Sequence, residues 1–438
     1  MPINKLYDLF RPWGRGRSRR APSAKLAPSS PSARRKVCMV THSYYELDNR
    51  VRRYAEALAK RGDHVEVIAI GRNAAALKEE NIEGVTVHRI QNRKRDERGK
   101  WTYAWRMLRF LVSSAIFLTR RHWRVRYDLI HVHNMPDFLV FAAWYPKWTG
   151  AKLILDIHDI MPELFANKFH AGTENRYVRL LQWIEKSSAA FVDHVIVSND
   201  LWREKLIARS VPKEKSSVFL NHVDPAIFYR RARTRTDERL IIVFPGTFQR
   251  HQGLDVAVEA LAHLKDILPA AELHLYGGGD AKPELTQLAD QLGLSERVRF
   301  FEGVPLDRVA DVIANADIGV VPKRADSFGN EAYSTKIMEF MSQGVPAVVS
   351  RTKIDEFYFN EKVVRFFDSG DSKALAAALL DVAGSKALRD SLVKGGLEYV
   401  DQHGWHRRRN DYFQLIDSLT TDAPTRSGTR EYAAVLPE

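Results

Sequence analysis

From Lys36 onward, apolar runs rich in β-branched residues alternate with stretches of helical spacing. Residues 36–42, 64–70, 85–90, 128–133, 152–157, 194–198 and 216–221 read as strands. Val51, Tyr54, Ala55 and Leu58 recur at spacings of three and four, which predicts a helix over 49–60, with Gly62 as its stop. A second series opens at Leu240, with strands expected at 240–246, 272–277, 298–302, 317–321, 345–350 and 363–367. Helices are expected at 254–268, 283–292, 305–315 and 335–343, and the stretch 372–420 has a helical pattern. Strands and helices in alternation predict an α/β chain, here two parallel sheets each covered by helices.

Between the two series the pattern breaks at Pro225 and a charged run, Arg230 to Arg235, as an interdomain linker would. The expected organisation is a basic disordered tail over 1–35, an N-terminal domain over 36–222, a linker over 223–239 and a C-terminal domain over 240–400. A helix over 401–420 has the N-terminal domain as its candidate packing surface, and a disordered tail covers 421–438. Open α/β sheets bind ligands beyond the carboxyl ends of their strands, so residues just after strands are the ones to inspect for function.

With 438 residues, 45% hydrophobic and 28% charged, the chain has the composition of a folded protein. Its single cysteine, Cys38, lies in an apolar run and allows no internal disulfide, which suits a cytoplasmic location. The basic N-terminal stretch is followed by no apolar core, so no secretory signal is expected. The longest apolar stretch, Met107 to Leu118, is short of the roughly 20 residues of a spanning helix.

The net charge of +13 is concentrated. Residues 1–36 hold ten Lys and Arg against Asp8, and residues 89–126 hold twelve against Asp96 and Glu97, leaving the remainder acidic. An acidic body disfavours a nucleic-acid partner. The second patch also carries Trp101, Tyr103, Trp105, Phe110, Phe117 and Trp123, a mixture suited to an anionic membrane surface. The chain is therefore expected to lie peripherally on the inner face of the cell membrane; the alternative is a solvated basic helix whose aromatics face the core.

The strongest local signal runs from Asp326 to Pro346. Glu331 and Glu339 are separated by seven residues, and Ser334-Thr335 enters a helix whose apolar face is Ile337, Phe340 and Met341. Free backbone N–H groups and the positive dipole end at such an entrance suit phosphates. Lys336 adds a cation, and Glu339, about one turn in, is placed to accept bonds from ribose hydroxyls. The competing reading is a surface helix cap with solvated acids.

This stretch resembles the donor-site motif of family-4, GT-B-fold glycosyltransferases: Glu, seven residues, Glu. It is most similar to a subgroup with Ser-Thr-Lys, a Glu-aromatic-Met run and Gly-x-Pro, and the resemblance extends over nearly all of 36–420. It implies two Rossmann-like doubly wound domains facing across a cleft, and retaining transfer of a sugar from a nucleotide-sugar donor. Glu331 is then expected to contact sugar hydroxyls.

Other segments fall in place under that resemblance. In Phe244 to Asp255, the strand-Gly element is Gly246; where relatives commonly have Arg and Lys, this chain has Thr247 and Gln252. Arg250 and His251 are the candidate substitutes for holding the diphosphate, with Lys336 as a third cation. Gly277 and Gly278 match a glycine element after a strand, and Val304 lies in the segment whose backbone reads the nucleobase in relatives. His158, in Leu155 to Glu163, matches an active-site histidine that contacts the transferred sugar; a structural hydrogen-bonding role is the alternative.

On the acceptor side, Asp48 and Arg50 resemble an Asp-x-Arg-Val element, with a purely structural Asp48–Arg interaction as the alternative. His133 is a further acceptor-side candidate. His131 and His133 are expected on opposite faces of their strand, so joint metal ligation is not expected. No Asp-x-Asp motif and no Cys/His zinc spacing occur, so neither metal nor cofactor is expected. The resemblance implies a nucleotide-sugar donor, with a UDP-sugar expected ahead of a GDP-sugar. The expected acceptor is a saccharide, lipid-linked by inference from the basic aromatic patch, in cell-surface polysaccharide synthesis. A GT-B-fold nucleotide-sugar epimerase and a non-catalytic nucleotide-sugar-binding protein are the rival readings.

Overall fold

The computed structural model describes residues 34–72, 76–92, 100–169, 172, 174–224 and 227–421. The expected tail segments 1–33 and 422–438, Pro225, and residues 93–99 of the basic patch lie outside the described residues, as do the side chains of Trp101 and Tyr103. From Arg35 onward the chain forms one compact unit.

The first half contains β1 (Lys36–Val40), α1 (Asn49–Arg61), β2 (His64–Gly71), β3 (Glu79–Ile82), β4 (Val85–Asn92), α2 (Lys100–Val125), β5 (Leu129–His133), α3 (Trp144–Trp148), β6 (Lys152–Ile157), α4 (Met161–Phe169), α5 (Arg176–Phe191), β7 (His194–Val197), α6 (Asp200–Arg209) and β8 (Ser216–Val218). Its sheet runs β3-β4-β2-β1-β5-β6-β7-β8. Every pairing is parallel except β3 with β4. The edge strand β3, Glu79-Glu80-Asn81-Ile82, was not expected, because a half-exposed strand with one apolar residue has no period-two signal.

The second half contains β9 (Leu240–Pro245), α7 (Leu254–Leu264), β10 (Ala271–Tyr276), α8 (Lys282–Gln291), β11 (Val298–Phe301), α9 (Leu306–Ala314), β12 (Ile318–Val321), α10 (Thr335–Gln343), β13 (Ala347–Ser350), α11 (Lys353–Tyr358), β14 (Arg365–Phe367), α12 (Ser372–Gly384), α13 (Lys386–His403) and α14 (Trp405–Thr420). Its parallel sheet has the order β11-β10-β9-β12-β13-β14. The reversal of direction in strand order falls between β9 and β12, where a doubly wound sheet opens its ligand crevice.

The stretch 372–420 is three helices. Ser385 Oγ accepts from Leu388 N and starts α13, and Gly404 separates α13 from α14. Trp405, Tyr412, Leu415 and Ile416 of the last helix pack with Val37, Tyr54 and Phe219 of the first half, and Arg61 pairs with Asp417 at 3.1 Å. The basic run between the halves is bound down: Arg231 pairs with Asp311, Arg233 and Arg235 pair with Asp317, and the amides of Thr234 and Arg235 donate to Asn315 Oδ1 at 2.9 Å. Its charges have matching acids in the second half, which composition alone does not disclose.

Candidate functional site

Between the two sheets lies a cavity of about 760 Å³, a size that takes a nucleotide-sized ligand. The first half lines it with residues that include His42, Asp48, Arg50 and His158; the second with His251, Gln252, Lys323, Ser334, Thr335 and Lys336.

The N-terminus of α10 opens into this cavity. Its N-cap, Ser334, makes no side-chain cap bond, and the buried Ser334 Oγ has no hydrogen-bond partner among the described residues. Unpaired N–H groups at a helix start, a free hydroxyl and Lys336 together form an anion-accepting surface. Lys336 makes no ion pair among the described residues; its Nζ lies 4.9 Å from the centroid of the Phe244 ring. Burial holds its pKa below the usual lysine value. A half-buried cation with no ion-pair partner is stabilised by an anion bound beside it.

Behind Lys336 stands Gly246, at the end of β9. A Cβ at this position would lie 2.5 Å from Lys336 Cε and 3.0 Å from its Nζ. Gly277 lets the next strand end approach in turn: its Cβ would lie 1.9 Å from Gly246 O. Gly246 N donates to Tyr276 O at 2.8 Å and Gly277 N to Phe301 O at 3.0 Å. These glycines thus join the loops after β9, β10 and β11 beneath the lysine. Gly278 is exposed with open space around it, and Val304, half-buried after β11, is not among the residues lining the cavity.

Glu339 faces a side pocket of about 80 Å³ whose lining shares Asn49, Asn221 and Thr335 with the main cavity. Burial raises its pKa, against the lowering effect of Lys336. Besides Gly278 and Val304, two more expected donor contacts lie away from the cavity. Glu331 does not line the cavity: its carboxylate pairs with Lys205 of α6, and its carbonyl accepts from Asn199 Nδ2 at 3.1 Å, so it ties the two halves together. Arg250 is exposed, whereas His251 and Gln252 line the cavity. The three form a single 3-10 turn, in which successive side chains point about 120° apart. Burial lowers the His251 pKa, which leaves the ring neutral and suited to hydrogen bonding.

On the opposite wall, Asp156 at the end of β6 organises the polar groups. Arg50 clamps it bidentately, Nε to Oδ2 at 2.8 Å and Nη2 to Oδ1 at 2.7 Å, and donates Nη1 to Phe219 O at 2.8 Å. Arg50 therefore does not pair with Asp48, and its guanidinium is held within the protein. Asp48 instead caps α1, accepting from Val51 N at 3.2 Å and from Ser43 Oγ at 2.6 Å. Burial opposes the charge of Asp156, yet Arg50 and His158 hold its carboxyl well below the usual range. His158 Nε2 and His133 Nδ1 both lie 3.1 Å from Asp156 Oδ2. His158 lines the cavity; His133 is fully buried behind it.

His131 and His133 share one face of β5, with ring centroids 4.2 Å apart. The expectation of opposite faces fails because side chains alternate along a strand, so residues two apart point the same way. Their ring nitrogens and Asp156 lie close enough to hold a metal ion. Asp156 already gives both oxygens to Arg50, however, and a second cation beside a buried guanidinium would be repelled. Burial lowers both histidine pKa values, and His131 Nδ1 lies 2.8 Å from Tyr412 Oη. The cluster is a polar network of neutral rings around one carboxylate.

A glycosyl transferase 4-like domain matches residues 47–222, and glycosyl transferases group 1 matches residues 227–398. The chain belongs to the family-4, GT-B-fold glycosyltransferases. This glycosyltransferase is 23% identical over 389 residues to the phosphatidyl-myo-inositol mannosyltransferase of Mycobacterium leprae, covering 86% of this chain and 93% of the relative. Among solved structures it is similar to sucrose-phosphate synthase from Thermosynechococcus elongatus, with a TM-score of 0.72 and 20% identity over 88% of this chain and 99% of the other. It is also similar to HepE of Anabaena in complex with UDP-glucose, with a TM-score of 0.66 and 15% identity over 88% and 100%.

Sequence reasoning about the glycosyltransferase missed Lys323, which lines the cavity from the end of β12. Its Nζ lies 2.8 Å from Asp355 Oδ2 and donates to Ala332 O at 2.7 Å, so it braces the loop leading to α10. A lysine two residues beyond an apolar strand was the available signal.

Proposed function

We propose that this glycosyltransferase moves a sugar from a nucleotide-sugar donor, a UDP-sugar ahead of a GDP-sugar, to a saccharide acceptor carried on a lipid, in cell-surface polysaccharide or glycolipid assembly. The observation that carries the reading is the uncapped start of α10, with Lys336, opening into the interdomain cavity opposite His158. The diphosphate rests on Ser334, Thr335 and Lys336, and Glu339 takes the ribose hydroxyls. As the sugar–phosphate bond breaks, charge grows on the diphosphate. Pre-oriented N–H groups and Lys336 stabilise it, so the transfer proceeds without a metal ion. His158, oriented by Asp156, contacts the transferred sugar. Retention of anomeric configuration follows the family resemblance.

The choice of UDP is supported by the bound UDP-glucose named for the Anabaena neighbour, and the lipid acceptor by the phosphatidylinositol named for the M. leprae relative. A cytoplasmic, membrane-peripheral location is supported by the single buried cysteine and the basic aromatic patch. The test is donor hydrolysis across a set of nucleotide sugars, followed by determination of the product's anomeric configuration. One preferred donor whose hydrolysis is abolished in Glu339→Ala supports the reading; epimerised sugar appearing without acceptor overturns it.

A further inference from the structure

Five tryptophans of the first half stand in solvent among the described residues: Trp105, Trp123, Trp144, Trp148 and Trp183 are 68%, 69%, 52%, 79% and 66% exposed. Two of them begin and end an apolar stripe on α2. At about 100° per residue, Trp105, Leu108, Val112, Ile116 and Trp123 fall within a sector of about 80° and extend about 27 Å along the helix. All five are exposed. Arg109, Arg120 and Arg124, also exposed, follow along one flank of that stripe.

The stripe continues onto neighbouring elements. The Trp123 ring stacks on Tyr145 of α3 at 6.4 Å, and Trp144 packs on the same ring at 5.8 Å. Phe141 packs on Phe191 at the end of α5 at 5.1 Å, and α5 exposes Leu180 and Trp183 with Arg176 and Arg179. Exposed apolar side chains gathered on neighbouring helices and flanked by arginines are disfavoured in water and mark a docking face. Tryptophan suits the boundary between lipid and water, and a rim of arginine suits anionic headgroups. No helix among the described residues is long and apolar enough to cross a membrane.

We infer that α2, α3 and α5 together form one face that lies in the interface of an anionic lipid bilayer. The same elements back the cavity. Phe110, on the buried side of α2, meets the ring of His42 at 4.9 Å, and His42 lines the cavity. Leu164 of α4, a helix packed against α5, lines it as well. A lipid-borne acceptor therefore reaches the first-half wall from the bilayer plane. This delivery step rests on the proposed function; the docking itself does not.

The experiment is sedimentation of the full chain with phosphatidylcholine vesicles and with phosphatidylglycerol–phosphatidylcholine vesicles, at low and high salt. Binding to the anionic vesicles that weakens with salt, and that falls about tenfold in a Trp105→Ser/Trp123→Ser/Trp183→Ser variant, is the expected result. Donor hydrolysis in that variant is expected to match the wild type, since these side chains are exposed and outside the cavity. Absence of binding at low salt, or equal binding by the variant, overturns the inference. So does a dimer in size-exclusion chromatography that the same substitutions dissociate, since a second copy would then cover the face. Loss of vesicle binding with hydrolysis intact concerns docking alone, whereas absent hydrolysis with docking intact strikes the transferase reading alone.

Discussion

Gly246 and Lys336 occupy one another's space: a Cβ on the glycine would stand 2.5 Å from the lysine Cε. The glycine thereby shapes the proposed donor site although it does not itself line the cavity. Gly246→Ala is expected to displace the lysine and weaken UDP binding about tenfold, corresponding to about 1.4 kcal/mol. Gly278→Ala, whose Cβ meets open space, is the control and is expected to bind UDP as the wild type does. Isothermal titration of the two variants checks the pair.

Lys336 is also expected to set the alkaline limit of donor binding. Burial lowers its pKa from the usual lysine value of 10.5, so in the empty protein its charge is lost at a lower pH than an exposed lysine's. UDP affinity should fall as pH rises through that lowered value, and Lys336→Arg, which keeps its charge, should move the fall to higher pH. Dissociation constants for UDP across the alkaline range measure this.

Asp156 separates folding from chemistry. Asp156→Asn leaves the buried Arg50 without its anion and should cost about 3–5 kcal/mol of stability. His158→Ala touches the same carboxylate from the cavity side, where the histidine is partly exposed, and should cost less than about 1 kcal/mol while turnover falls about a hundredfold. Urea unfolding alongside steady-state kinetics separates the two outcomes.

A pH effect on stability arises at Asp137. Burial pushes its carboxyl up to about 7, against the hydrogen bond from Asn134. Its folded pKa exceeds the unfolded value of 3.8, so the folded state holds the extra proton between the two. That contribution is complete below about pH 4 and declines as pH rises to about 7. Asp137→Asn should flatten the decline and raise stability at neutral pH, as urea midpoints at acidic and neutral pH would show.

The two α/β series were legible because buried parallel strands leave continuous apolar runs. The Ser334-Thr335-Lys336 entrance was legible because a helix start and its unpaired amides are local properties. The placements of Glu331 and Arg250 were not legible, for the opposite reason. Whether a loop charge faces the cavity or a partner depends on Lys205, far away in the chain, and on the sense of a single 3-10 turn. The pairing of Arg50 with Asp156 joins residues 106 positions apart and leaves no local trace. The exposed tryptophan of α5 escaped notice because its helix carries no strong charge bias in sequence, and becomes conspicuous only beside α2.

In the proposed donor complex the start of α10 grips the diphosphate. The most direct test of that grip is calorimetric titration of UDP into the wild type and into Lys336→Met, with folding verified by thermal melting. Affinity is expected to fall tenfold to a hundredfold, the loss of a charge-assisted contact worth about 1.5–3 kcal/mol, with a melting temperature close to that of the wild type because the half-buried lysine makes no ion pair among the described residues. Unchanged UDP affinity in a folded Lys336→Met protein would contradict it.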